Sequence, residues 1–488
     1  MKYLLTFVVV CACLLLGMLY LARGRQPWGA GFQWRKLNQQ AMELYREGEY
    51  DRAVVLAQSA LDLAEKKVKA NHPHVATSLN NLALLYKAQG QYGQAEPLFK
   101  RALAIKEQAL RPGHPDLATS LNNLAGIYNC QGRYQEAEAL HQRALAIKER
   151  ALRPEHPSLA TSLNNLAALY KNQGRYEEAE PLYQRALAIR EQALGPDHPD
   201  VGTSLNGLAR LRQAQGQYGQ AEELFKRARE IYEQALGPEH PDVATSLNHL
   251  AGLYDAQGKY AQAEALCQRA LAIYEKALGP DHPSVATALN NLAELYHTQD
   301  EYTRAEPLHQ RALAIREKAL GPEHPSVAAS LNNLAGLHKI QGKYAQAEPL
   351  YLRALAIYEK AFGPEHPQVA TSLNNLAGLY KNQGRYEESE PLFQRALTIR
   401  EQALGPEHPS VANSVNNLGS LYKVQGEYTK SEPLHRRALA IWEKTLGPGH
   451  PDVADCLEDL AALYRAMERD EEAQALEQRV ARIRALER

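Results

Sequence analysis

The chain has 488 residues, 45% of them apolar, and its 55 Lys and Arg nearly balance its 56 Asp and Glu. A formal net charge of -1 gives no general attraction to nucleic acid or anionic lipid, so no nucleic-acid partner is expected. Five cysteines without a CxxC pair supply neither a disulfide framework nor a metal knuckle.

The first element is an apolar run from Leu4 to Ala22. As a helix it would span roughly 28 Å, close to a bilayer's hydrocarbon thickness, so residues 1–25 read as an N-terminal membrane anchor. Arg23, Arg25, Arg35 and Lys36 follow the run and only Lys2 precedes it. That bias favours a single-pass protein with its repeats in the cytoplasm. Cleavage as a signal, with the repeats periplasmic or secreted, is the alternative. Residues 26–36 read as a short linker.

From there one period governs the chain. His-Pro recurs at 72, 114, 156, 198, 240, 282, 324, 366, 408 and 450, always 42 residues apart, and an earlier unit in the same frame covers Leu37, Ala41, Gly48 and Tyr50. Each unit carries two helical signals. Leu373, Leu376, Ala377 and Tyr380 fall at helical spacing before Gly384, and Tyr386, Leu392, Phe393, Ala396 and Ile399 before Gly405-Pro406. Asp116, Ser158, Asp200, Asp242 and Ser284, just after the Pro, read as N-caps. Pro97, Pro181, Pro307, Pro349, Pro391 and Pro433 sit near the second turn of the second helix, where few bonds are lost. Single hairpins cannot bury both faces, so residues 37–488 are expected to stack as an all-α solenoid of about eleven hairpins, capped by a helix at 470–488.

The positions of Leu79, Leu82, Ala83, Tyr86, Ala95, Phe99 and Ala102 resemble the tetratricopeptide pattern, and LNNLA, QGxYxxAEPL and ALGPEHP in 42-residue units resemble its kinesin light chain type. The resemblance implies a right-handed superhelix whose first helices line a groove for peptide segments of partner proteins. It does not imply a motor role, because no long heptad segment separates the apolar run from the repeats. The lysine and asparagine clamp of chaperone-tail receptors is also missing.

Helical projection turns two asparagine columns away from the hairpin core. The first holds Asn38, Asn80, Asn122, Asn164, Asn206, Asn248, Asn290, Asn332, Asn374 and Asn416, and is expected chiefly to bond neighbouring helices. The second holds Asn81, Asn123, Asn165, Asn291, Asn333, Asn375 and Asn417, with Gly207, His249 and Asp459 elsewhere. A carboxamide complements a peptide unit, so this second column, with Asn374 beside it, is the candidate peptide ladder. Lys87, Lys171, Lys339, Lys381 and Lys423 on the same side point to an acidic peptide partner.

No catalytic or nucleotide-binding motif occurs, so a non-enzymatic scaffold without cofactor or metal is expected, with a structural spacer or self-assembling array as the alternative. The ten repeated histidines are expected to bond helix ends, and His141, His309 and His435 to pack. Gly202, Gly207 and Arg212 mark the helix near 201–215 as a weak rung, since two interior glycines cost about 1 kcal/mol each and Arg212 occupies a tyrosine slot.

Overall fold

The computed structural model describes residues 28–486, which form 22 α-helices; no strand occurs among the described residues. The apolar run at 4–22 lies outside the described residues. No helix among those described is long and apolar enough to cross a membrane. Every unit pairs a helix A with an antiparallel helix B, as in Pro367–Asn382 and Tyr386–Leu404, so the α-solenoid expectation holds.

The unit's punctuation explains both helices. Proline fits N1 of helix A because that position has no intrahelical N–H bond to lose. The N-cap is the histidine before it, whose Nδ1 accepts the N–H two residues on, as His324 does from Ser326 at 2.9 Å. Asp116, Ser158, Asp200, Asp242 and Ser284 therefore stand at N2, two positions inside the N-cap, and imidazole does the capping expected of the carboxylate or hydroxyl. Gly384 ends helix A at φ 75° and Gly405 ends helix B at φ 88°, both in the left-handed region that a Cβ disfavours.

The stretch read as a linker is mostly helix. The first helix, Trp28–Arg46, begins within it, and Trp34 stacks on His74 at 4.2 Å while donating to Ser78 Oγ at 2.8 Å. An aromatic anchored on the next unit is part of the array.

Alanines fill the closest approaches. Ala83, Ala95 and Ala102 are fully buried, and leucines such as Leu79 and Leu121 occupy the space between hairpins. Each buried leucine or isoleucine contributes about 1.5 to 3 kcal/mol, and the pattern recurs in every unit. Successive helices A approach one another more closely than successive helices B, so helices A form the inner wall of the coil.

The coil also touches itself. Counting Trp28–Lys67 as unit 1, the A–B turn of unit 2 reaches the start of unit 8: a Cβ on Gly90 would overlap Pro325 Cδ. Gly48, Gly132, Gly174 and Gly216 meet His282, His366, His408 and His450 in the same way. Each pair lies six units apart, so one superhelical turn takes about six units and successive turns close against each other along a seam. His324 Nε2 bonds Ala88 O at 3.0 Å and His408 Nε2 bonds Asn172 O at 3.2 Å. Because Nδ1 already accepts at the N-cap, the neutral ring carries its proton on Nε2 and donates it to the carbonyl ending a helix A one turn away. Tyr92 stacks on Phe362 at 5.4 Å across the same boundary. Burial pushes His324, His366 and His408 down to about 4, which keeps the rings neutral near pH 7.

Candidate functional site

The two asparagine columns separate into different jobs. In the first, Asn122, Asn290, Asn332 and Asn374 are buried, and each donates Nδ2 to a serine in the next helix A, forty residues on: Ser162 at 3.0 Å, Ser330 at 3.2 Å, Ser372 at 3.0 Å and Ser414 at 2.9 Å. This row ties unit to unit. Asn374 is thereby turned into the stack at 7% exposure, with its Nδ2 committed to Ser414 and not to the inner wall.

The other end of this row explains three histidines. His141, His309 and His435 place Nδ1 on the Oδ1 of Asn122, Asn290 and Asn416 at 2.8, 3.0 and 2.6 Å. Where helix B carries Tyr183, Phe225, Cys267, Tyr351 or Phe393 instead, the corresponding oxygens of Asn164, Asn206, Asn248, Asn332 and Asn374 have no partner among the described residues. Histidine in that slot satisfies a buried acceptor that an aromatic ring or a thiol leaves open.

The second column is half-buried on the inner side of helix A. Asn81 and Asn123 donate to Asn38 and Asn80 Oδ1, both at 2.8 Å. Asn165, Asn291, Asn333, Asn375 and Asn417 make no hydrogen bond within the described chain, so their amides stay available. The lysines lie beside them. Lys87 Nζ stands 3.1 Å from where a Cβ on Gly126 would be, and Lys339 Nζ 3.8 Å from one on Gly378, so glycine in the next helix makes room for the ammonium.

Confinement shows in the lysine chemistry. Burial, with Arg210 nearby, pushes Lys171 down to about 8, burial with Lys381's charge lowers Lys339, and burial lowers Lys381 against the opposing pull of Asp459. Lys423 differs: Asp459 neutralises it at 3.0 Å and takes Asn416 Nδ2 at 2.9 Å as well. Lys339 and Lys381 form no ion pair among the described residues, and of the two only Lys339 lies beyond the pull of Asp459.

The rung expected to be weak is filled. A Cβ on Gly207 would lie 2.6 Å from the Tyr183 ring, and one on Gly202 would lie 2.8 Å from the Tyr232 ring, so each glycine's missing side chain is replaced by an aromatic from helix B. Elsewhere the tyrosine slot works as a trio: Tyr380 donates to Glu348 at 3.0 Å while Arg385 stacks on its ring at 3.9 Å and pairs with the same carboxylate. In the rung near 201–215 Arg212 binds Glu180 directly at 2.5 and 3.0 Å, and Gln217 replaces the stacking arginine and accepts from Arg212 at 2.9 Å. The charge has moved by one partner; it is not left unpaired.

A tetratricopeptide repeat model matches residues 35–108, 116–190, 159–234, 284–360, 326–381 and 410–485, well over half of the chain. The chain belongs to the tetratricopeptide repeat family. Other tetratricopeptide models match residues 369–410 and 80–151, and a nephrocystin-3 tetratricopeptide domain model matches residues 224–319. Among solved structures, the chain is similar to a Podosopora anserina putative kinesin light chain with nearly identical TPR-like repeats, at 34% identity over 41% of this chain and 95% of that one, TM-score 0.36. A point variant of that protein gives 33% identity over the same shares, TM-score 0.37. BtubC (BKLC) from P. vanneervenii gives 26% identity over 47% of this chain and 90% of that one, TM-score 0.37. No curated protein matches. The tetratricopeptide repeats support a protein–protein interaction scaffold, a fold typically used without catalysis.

Two acids on this wall escaped the reading of the columns. Asp255 stands in the lysine slot of unit 6, and Glu294 in the slot that is Gly378 in unit 9. Burial raises both carboxyls, and Asp255 adds to the shift of Glu294, although the Glu294 side chain is 46% exposed. Partial exposure with costly ionisation fits a wet space enclosed by protein. Their departure from the repeat consensus was the available signal.

Proposed function

We propose that the protein is a non-enzymatic scaffold that holds an extended, acidic peptide segment of a partner along its inner wall, tethered to a membrane through residues 4–22 with the repeats in the cytoplasm. The observation that carries the reading is the row of unengaged amides at Asn333, Asn375 and Asn417, next to Lys339 and Lys381, neither of which forms an ion pair among the described residues. Adjacent helices A lie roughly 9 Å apart, so these amides reach every second or third peptide unit of an extended chain. Asp255 and Glu294 repel an acidic segment from the middle units and restrict it to units 8 to 10.

The experiment uses the full chain and peptides from an array that it captures. Asn333, Asn375 and Asn417 changed together to alanine should leave the melting temperature level or slightly higher, since alanine is the better helix former, while each lost bond weakens the captured peptide by about 0.5 to 1.5 kcal/mol. Changing Lys339 and Lys381 should weaken binding mainly at low salt. Unchanged affinity in the asparagine variant overturns the ladder. Protease added to intact spheroplasts should spare the repeats; ready digestion reverses the topology.

The seam favours a second reading. Contacts between turns stiffen the coil, which suits a spacer that holds its two ends at a fixed distance. A spacer keeps its partners in the triple asparagine variant and loses them when the seam opens.

A further inference from the structure

The seam contains a cavity of about 430 Å³ where the helix A ends of units 3 and 4 meet the beginnings of units 9 and 10. Its wall includes Asn129, Cys130, His366, Thr371, Arg400 and His408, and no Asp or Glu among the described residues lines it. Arg400 is only 9% exposed and is pushed down to about 10 by burial, with no carboxylate offsetting the loss of water. Three of its five N–H groups are used, on Ser410 O at 2.9 Å, Ser414 Oγ at 2.9 Å and Thr371 Oγ1 at 3.1 Å, and all three acceptors are neutral. Nε–H and one Nη2 hydrogen remain, on the side of the guanidinium that grips an oxyanion with two parallel bonds.

Two further groups in the same wall are unsatisfied. Asn129 Oδ1 is buried without a partner. His366 Nε2, 7% exposed as a residue, faces the Cys130 carbonyl but falls short of bonding geometry, whereas the corresponding nitrogens of His324 and His408 complete that bond. Because His366 Nδ1 accepts from Gln368 N at 3.0 Å, its Nε2 is a donor. Helix N-termini from units 9 and 10 and helix C-termini from units 3 and 4 meet here, so their dipoles offset and the full charge of Arg400 is left over. The combination is specific to this rung: Asn129 is short where Lys87 and Lys171 stand in flanking units, Arg190 has Asp200 acting on it, and Arg316, which makes the same three bonds two units back, has Tyr45 at the repeat position of Asn129.

We infer that this cavity is a binding site for a small oxyanion, a carboxylate or phosphate group of a low-molecular-weight metabolite, which pairs with Arg400 and accepts from His366, while a hydroxyl of the same ligand donates to Asn129 Oδ1. Such a ligand touches both turns at once, so it stabilises the closed coil and through it the shape of the inner wall. The site is independent of whether a peptide lies on that wall.

The test titrates full-length protein with inorganic phosphate and, separately, with citrate, at ionic strength held constant with sodium chloride. Calorimetry should give one saturable site per chain for at least one of the two anions, and the melting temperature should climb with the logarithm of its concentration. Arg400→Gln, which keeps a donor for Ser410 O, should weaken binding at least tenfold, and Arg190→Gln should leave it unchanged. Asn129→Asp supplies a carboxylate to the same space; it should abolish anion binding while raising the melting temperature in the absence of anion. Two results overturn the inference: no saturable binding of either anion to the wild type, or binding that survives both Arg400→Gln and Asn129→Asp.

Discussion

The same 42-residue unit lives in two environments. Units 1 to 5 press their A–B turns against the next superhelical turn, whereas the turns of Gly342, Gly384 and Gly426 meet nothing within 4 Å. All five covered turns carry glycine, at 48, 90, 132, 174 and 216, while the open ones include Asp300 and Glu468, both at positive φ near 60°. A Cβ fits only where no histidine and proline arrive from above. The opposite edge shows the same sorting. The residue after His-Pro is Ser284, Ser326, Gln368, Ser410 or Asp452 where the edge is covered, but His74, Asp116, Ser158, Asp200 or Asp242 where it is free. Charge collects on the solvated edge because burying it costs several kcal/mol per ion. Local sequence in an array thus records contacts made six units away.

Acid should break the comparison most strongly. His324 and His366 have folded pKa values near 4, below the 6.5 of the unfolded ring, so the folded state binds fewer protons between those values. Their contribution is intact above about pH 6.5 and is lost as pH falls towards 4, by up to about 1.4 kcal/mol per pH unit for each ring. His141, His309 and His435 are lowered to about 4 as well and steepen the overall slope. The seam's share is therefore the difference between wild type and His324→Gln, measured as melting temperature against pH.

Glycine exchange comes next. Gly90→Ala and Gly384→Ala both put a side chain into the left-handed region, at about 1 to 2 kcal/mol, but only the first drives a Cβ into Pro325. Gly90→Ala should cost about 1 to 3 kcal/mol more and lengthen the coil in small-angle scattering. Equal losses in urea titrations would show that the seam adds no stability.

At the open edge, Asp300→Gly should stabilise by about 1 kcal/mol, since it removes a strained φ and disturbs no covering loop. Gly132→Asp should do the reverse and by more, because His366 and Pro367 lie 3.1 Å from the new Cβ.

The smallest effect belongs to Asp452, the one acid under a covered edge, whose carboxyl is raised by burial. Asp452→Ser should gain a few tenths of a kcal/mol at pH 7, whereas Asp200→Ser on the free edge should lose a similar amount through its helix dipole. Thermal melts of the two variants would reveal the opposite signs.

The hairpins were legible because every determinant lies within one period: the apolar spacing, the proline, the glycines and the small residues at the approaches. The neighbour contacts were partly legible. Asn374 and Ser414 are both polar residues set among buried leucines forty positions apart, a pairing visible in the repeat itself. Arg212 misled because one substitution was weighed without Glu180 and Gln217, which share its site. The seam was not legible. It depends on a small rotation and rise per unit, multiplied six times, and no side chain in a single unit fixes that product. For the same reason the free amides at Asn333 and Asn375 could be placed on helix A but not set inside a coil that closes upon itself.

The six-unit offset carries a consequence for copy number. An array of six units has no rung of the seam; the seventh supplies the first, and each later unit adds one more. Eleven units give the five glycine contacts seen here. Gain or loss of a whole period leaves every remaining rung in register, whereas one extra residue in any loop would misplace all rungs that straddle it. The unbroken step of 42 residues is therefore what a chain must keep if its length is to change without its coil coming open.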